Sequence, residues 1–258
     1  MDDVTESRIE AAEESLRRIL GDDALAGRTF LDVGSGSGLF SLAALRLRAA
    51  RVHSFDYDEE SVAATRALAD RAGAHAIWTI ERGDATDPSY MSGLGEFDVV
   101  YSWGVLHHTG AMWDALANTA DRVGAGGLLY IAIYNDQGRK SGRWRRIKQL
   151  YNGLPRPLRA AYAVAVMLPW EARMLAGATA RGRPGDYVRG WAREGGRGMS
   201  RWHDLLDWVG GFPFEVAAPE DVFRFCRDRG FELVELTTAV PRGGIGCNEF
   251  VFRRAGRT

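Results

Sequence analysis

Cysteine is nearly absent from this chain. Cys226 and Cys247 are the only two in 258 residues, and they stand far apart in apolar surroundings. That spacing excludes a disulfide framework and a cysteine-built zinc site, and it points to a reducing cytoplasm. An excess of either charge is also missing. Thirty-three Lys and Arg meet 34 Asp and Glu, a net charge of −1, so no global basic field gathers nucleic acid. Long apolar runs are lacking too. The longest, AAYAVAVMLPW at 160–170, is too short to span a bilayer. The N-terminal stretch MDDVTESRIEAAEESLRRIL is acidic and amphipathic, unlike a secretory signal. What remains is a length suited to one large α/β domain or two small ones.

The first half of the chain alternates. Strands are expected at about 29–33, 51–56, 76–82, 97–103 and 127–134, with helices at 5–20, 38–48, 59–72 and 111–123. Short apolar runs separated by amphipathic helices predict a parallel sheet wound on both faces. Ligands of such sheets bind beyond the carboxyl ends of the strands. The alternation stops after Tyr134. Residues 135–213 hold no convincing strand, are rich in Arg, Trp and Gly, and read as helical in pieces. A helix at 219–229 and strands at 231–239 and 247–254 follow. Only PRGGIG separates the last two strands, so they should pair as an antiparallel hairpin.

Chemistry enters at residues 31–38, LDVGSGSG. A strand ends in Asp32, three glycines follow at alternate positions, and a helical pattern begins at once. Glycines there let a ligand approach the backbone closely, and the helix aims its free N–H groups at that ligand. The second strand ends in Asp56, eighteen positions after Gly38, a suitable reach for a carboxylate that accepts ribose hydroxyls. Asp58 is better placed to cap the helix that starts there. The third strand ends in GDATD, where Asp87-Pro88 reads as the opening of a loop, and the fourth reads FDVVYSWGVLHHTG.

A dinucleotide fold uses G-x-G-x-x-G. The spacing here is G-x-G-x-G after an acid, which resembles the S-adenosylmethionine (SAM) site of the class I methyltransferases. HSFDYD, GDATD, VLHH and ALANTADRVGAGGLLYIAIYN extend the resemblance over about residues 28–134, block by block, to the ubiquinone-biosynthesis type and related small-molecule enzymes. The terminal hairpin adds to it; the insert does not match. The resemblance implies a doubly wound, seven-stranded, mostly parallel sheet with an antiparallel last strand. The core is 1–134 with 214–258, and 135–213 forms a helical lid over the substrate. The implied SAM-binding set is Asp32, Gly34, Ser35, Gly36, Gly38, Asp56, Tyr57, Asp84, Ala85, Ser102 and Trp103. Within it Asp84 holds the adenine amino group, while Ser102 and Trp103 face the methionine end mainly through backbone. S-adenosylhomocysteine (SAH) is the implied product.

Methyl transfer to a hydroxyl needs a base to take the proton. His107 and His108 follow the fourth strand directly, and His203 stands four residues before Asp207, on one helix face if the segment is helical. Each has a plainer reading, as a packing residue or a surface ion pair. No histidine pair has i, i+4 metal spacing, so no metal site is expected. From Gln137 to Trp170 there are eight Lys or Arg and no acid. That run suits a solvated helix face, a site for an acidic acceptor, or RNA contact. The apolar run 160–170 suits lid packing, a hydrophobic substrate or a membrane surface. The reading that joins these features is transfer of a methyl group to a small molecule, most simply a hydroxyl oxygen of an aromatic or secondary-metabolite acceptor. A homodimer through the insert is compatible with it. The rivals are an RNA or protein methyltransferase docking through the basic insert, a SAM-fold protein of non-methylating chemistry, and an NAD-linked oxidoreductase, which the glycine spacing and closing hairpin disfavour.

Overall fold

The computed structural model describes residues 5–23, 25–185, 187, 206, 208–239 and 246–256. The chain divides into two compact units, Val4–Asp136 with Glu215–Thr258, and Gln137–Phe214.

The larger unit is built on a seven-stranded sheet of order β3-β2-β1-β4-β5-β7-β6. Its strands are β1 (Thr29–Val33), β2 (Arg51–Asp56), β3 (Trp78–Arg82), β4 (Phe97–Trp103), β5 (Val123–Tyr134), β6 (Phe231–Thr237) and β7 (Cys247–Arg254). The first five are parallel; β7 runs against both β5 and β6. The chain order reverses beside β1, so β1 and β4 flank the crevice where such sheets take ligands. The helices are α1 (Glu6–Leu20), α2 (Leu39–Arg46), α3 (Glu59–Ala72), α4 (Pro88–Gly93), α5 (Met112–Ala120) and α8 (Pro219–Arg227), with a 3₁₀ turn at Leu106–His108.

Strand alternation makes the two cores. In β1, Phe30 joins Val52, Val99, Tyr130 and Val251 on the face covered by α1 and α2, through Ile9, Leu16 and Leu42. Leu31 and Val33 point the other way, with Val100, Ile131 and Phe250, against Leu116 of α5 and Val222 of α8. Both faces are covered, which is why the central strands read as nearly continuous apolar runs.

Two elements differ from the sequence expectation. Asp87-Pro88 reads as the opening of a loop, yet Asp87 accepts from the N–H groups of Ser89 and Tyr90 and caps α4, with Pro88 in the first turn. Proline at that position is preorganised for a helix and wastes no donor. β5 begins at Val123 rather than 127, because Gly124, Gly126 and Gly127 hide its first residues from a periodicity reading.

The smaller unit contains α6 (Arg139–Gly153) and α7 (Arg156–Ala180). Ala163 and Val209 are its buried centre, with Ile147, Tyr151, Tyr162 and Met167 packed around them. Lys148 is buried there as well. Its ammonium lies 4.5 Å from the Trp208 ring centre and 5.0 Å from that of Phe214, and it donates to the Trp208 carbonyl. Burial pulls its pKa down to about 8.

Candidate cofactor and acceptor site

The glycine turn between β1 and α2 is left-handed at all three glycines, with φ of 80°, 55° and 78° at Gly34, Gly36 and Gly38. Its surroundings explain why each must be glycine. A Cβ on Gly34 would sit 2.4 Å from a Val105 methyl, and one on Gly38 2.8 Å from Thr65. At Gly36 nothing lies within 4 Å. The turn is thus walled at two glycines and open at the middle one, where a ligand has room to reach the backbone. Thr65 of α3 donates to the Gly36 carbonyl (3.0 Å) and touches the Ser35 hydroxyl (3.3 Å), bracing the turn from behind. Gly34→Ala combines a clash with an unfavourable φ. It is expected to cost about 1–3 kcal/mol in chemical denaturation, with Val105→Ala in the same chain recovering only part of the steric cost, since the residue 105 Cβ stays 2.9 Å away.

Asp56 closes one side of the turn. One carboxylate oxygen accepts the Gly36 N–H (2.9 Å) and the other accepts the Asp58 N–H (2.9 Å). Each oxygen keeps a second lone pair, so the group can still accept from two hydroxyls. Asp58 caps α3 through the Ser61 N–H, 2.9 Å. Its carboxyl is held below the usual range by that backbone bond and by the Ser61 hydroxyl. Tyr57 is exposed, with the Arg82 guanidinium 5.4 Å from its ring centre. At the end of β3, one oxygen of Asp84 accepts from the Thr86 N–H and hydroxyl, at 2.8 and 2.7 Å. Ala85 is buried, and its carbonyl accepts from Asn118.

Three predicted residues carry structural bonds. Asp32 is only 2% exposed, and its carboxyl accepts the Ser41 hydroxyl of α2 at 2.5 Å. It ties the first turns of α2 to β1, beneath the glycine turn. Ser102 donates to the Val33 carbonyl (3.1 Å), and the Trp103 indole donates to Glu249 (3.2 Å). Their side chains are engaged within the sheet.

His107 and His108 lie in the 3₁₀ turn after β4. His107 is fully buried; its ring centre is 3.9 Å from that of Tyr134, at the end of β5, and 4.6 Å from that of His108. His108 is half-buried and meets Tyr134 edge-on. Val105, which packs against Gly34, immediately precedes this turn. The pair is therefore anchored to the glycine turn through one residue. The strap from Glu215 to Ala217 holds it from the other side: Glu215 N–H donates to the His107 carbonyl, and its carboxylate takes the first N–H of α5. His203 and Asp207 lie outside the described residues. Sequence reasoning missed Thr65, Val105, Tyr134 and Glu215, because their roles are contacts between distant segments. Ser41 and Ser54 gave a weak signal, as hydroxyls at positions that must be buried.

Comparison with known proteins agrees with this layout. Residues 31–129 match the family model described as a methyltransferase domain. The chain carries a class I methyltransferase domain. That domain is 30% identical over 116 residues to a ubiquinone biosynthesis O-methyltransferase of Methylobacterium sp. (strain 4-46), covering 45% of each protein. It is 49% identical over 49 residues to a ribosomal protein L11 methyltransferase of Aeromonas hydrophila subsp. hydrophila, 19% of this chain and 17% of that one. The chain thus spans less than half the length of either relative. The magnesium protoporphyrin IX methyltransferase of Synechocystis PCC 6803, solved with bound SAH, shares the fold. The TM-score is 0.56 at 14% identity, over 99% of this chain and 89% of that one. The class I domain is the SAM-dependent one, and the open, glycine-lined turn with Asp56 at its edge fits that cofactor.

Proposed function

We propose that the protein transfers a methyl group from SAM to the hydroxyl oxygen of a small aromatic or secondary-metabolite acceptor. The observation that carries this reading is the joining, at one sheet edge, of an open glycine turn and a histidine pair. Val105 links them by packing on Gly34. SAM supplies a methyl on a cationic sulfur, ready for in-line displacement. Asp56 accepts the ribose hydroxyls, and the free oxygen of Asp84 accepts the adenine amino group. Ser102 and Trp103 present backbone to the methionine end. His108 takes the acceptor's proton, and His107, held by Tyr134, fixes its position. Ubiquinone O-methyltransferases and ribosomal protein L11 methyltransferases match over similar lengths, 116 and 118 residues, so the small-molecule reading draws on the site rather than on likeness.

Titration calorimetry with SAM and SAH tests the cofactor half. Asp56→Ala removes the acceptor of two charge-assisted bonds, and affinity is expected to fall about 10²-fold; unfolding stays cooperative at a lower temperature, because the Gly36 and Asp58 N–H groups lose their acceptor as well. Retained affinity overturns the ribose assignment. Labelled methyl groups offered with phenolic acceptors, bulk RNA and ribosomal protein test the other half. Incorporation into the phenols supports the reading; incorporation into RNA or protein alone replaces it.

A further inference from the structure

We infer that α6 and α7 form a docking face for an anionic lipid surface. On α6, Arg139, Arg143, Arg146 and Leu150 recur at i, i+4, i+7 and i+11, so they share one helix face, and all four are exposed. Leu150 is 62% exposed. Lys140 and Arg156 add to the positive charge. None of these cations meets an acid among the described residues, and no acid occurs between Gln137 and Trp170. On α7, Ala161, Val164, Leu168, Ala172 and Leu175 form a second exposed stripe, at i, i+3, i+7, i+11 and i+14. Leu168 is 60% exposed. The opposite side of α7, with Ala163, Tyr162 and Met167, is the one that packs against Ile147 and Tyr151 of α6. Among the described residues the apolar stripe therefore has no packing role within this unit.

Charge chooses the occupant. A second copy of the chain would bring arginines against arginines. A nucleic acid would use the cations and leave the leucines in water. A bilayer with anionic headgroups uses both: phosphates meet the guanidinium groups while the apolar stripe enters the headgroup boundary. None of the described helices is long and apolar enough to cross a membrane, so α7, about 37 Å long, lies in the interface plane.

The test is sedimentation of the full chain with vesicles of phosphatidylcholine, with and without phosphatidylglycerol. Binding is expected to the anionic vesicles, to weaken as salt rises, and to be at least ten-fold weaker on neutral ones. Each of Arg139→Gln, Arg143→Gln and Arg146→Gln should lower partition roughly five-fold, and the three together about 100-fold. Leu168→Asp should weaken it about ten-fold or more. SAM affinity, measured in parallel, should stay unchanged in all five, which shows them folded and separates this inference from the methyl-transfer reading. Equal binding to neutral vesicles, or none to anionic ones, overturns the inference. So does a dimer in solution that Leu168→Asp disperses. Binding to RNA that falls in the arginine variants and ignores Leu168→Asp overturns it in favour of a polyanion site.

Discussion

His108→Ala is expected to lower kcat about 10²–10⁴-fold on a hydroxyl acceptor while KM for SAM stays within two-fold or so. A positioned base acts only in the proton-transfer step, so its loss should not disturb cofactor binding. Its neighbour should behave differently. The His107 ring is fully buried against Tyr134, and a group without solvent access is poorly placed to exchange a proton with an incoming substrate. His107→Ala opens a cavity at the end of β5 and should cost about 3 kcal/mol in urea denaturation. Any fall in kcat then comes through a misplaced His108. The two variants separate a reacting group from a supporting one, provided stability and turnover are both measured. Unchanged kcat in both removes the pair from the chemistry and returns the role to His203, or to an acceptor that needs no base.

The strands of the large unit were legible because burial on both faces forces apolar runs, and glycines punctuate them. The antiparallel last strand was legible for a local reason, a short loop between two strand patterns. The acid at the end of β2 and the glycine turn were legible because their chemistry depends on near neighbours in sequence. What escaped is non-local. Nothing around Thr65 in EESVAATRAL says that its hydroxyl reaches a carbonyl 29 residues upstream. Nothing around Val105 says that it walls Gly34. The two faces of Asp32 illustrate the limit best. Its place in LDVGSGSG suggests a ligand contact, whereas the folded chain turns it toward α2. Direction on a strand needs the register of its neighbours, and Asp32 pairs with Ser54 on one side and Tyr101 on the other.

That placement makes Asp32 the source of a second large effect. Its carboxyl is pushed up to about 7, chiefly by burial; the Ser41 bond opposes the rise and the charge of Asp56 adds to it. The bond belongs to a chain. The Trp78 indole donates to Ser54 (2.7 Å), Ser54 lies 2.6 Å from Ser41, and Ser41 donates to Asp32. Since the hydrogen of Ser41 points at Asp32, Ser54 must donate to Ser41, and all three donors aim toward the carboxyl. Even that polarised chain does not offset the loss of water around a buried anion. A carboxyl whose folded pKa lies above its ordinary 3.8 binds its proton more tightly when folded. Its stabilisation is complete below about 3.8, declines by about 1.4 kcal/mol per pH unit as pH rises, and levels off above about 7. The whole decline is about 4 kcal/mol, large beside the net stability of a domain. Asp32→Asn has no proton to lose and nearly the same shape. Its stability relative to the unsubstituted protein should therefore rise by roughly 2 kcal/mol between pH 5 and pH 7, read from urea denaturation at each pH. Exposed carboxylates titrate below this window and cancel in the difference. Parallel curves would mean that the Ser41 chain outweighs burial and that Asp32 stays ionised beneath the glycine turn throughout.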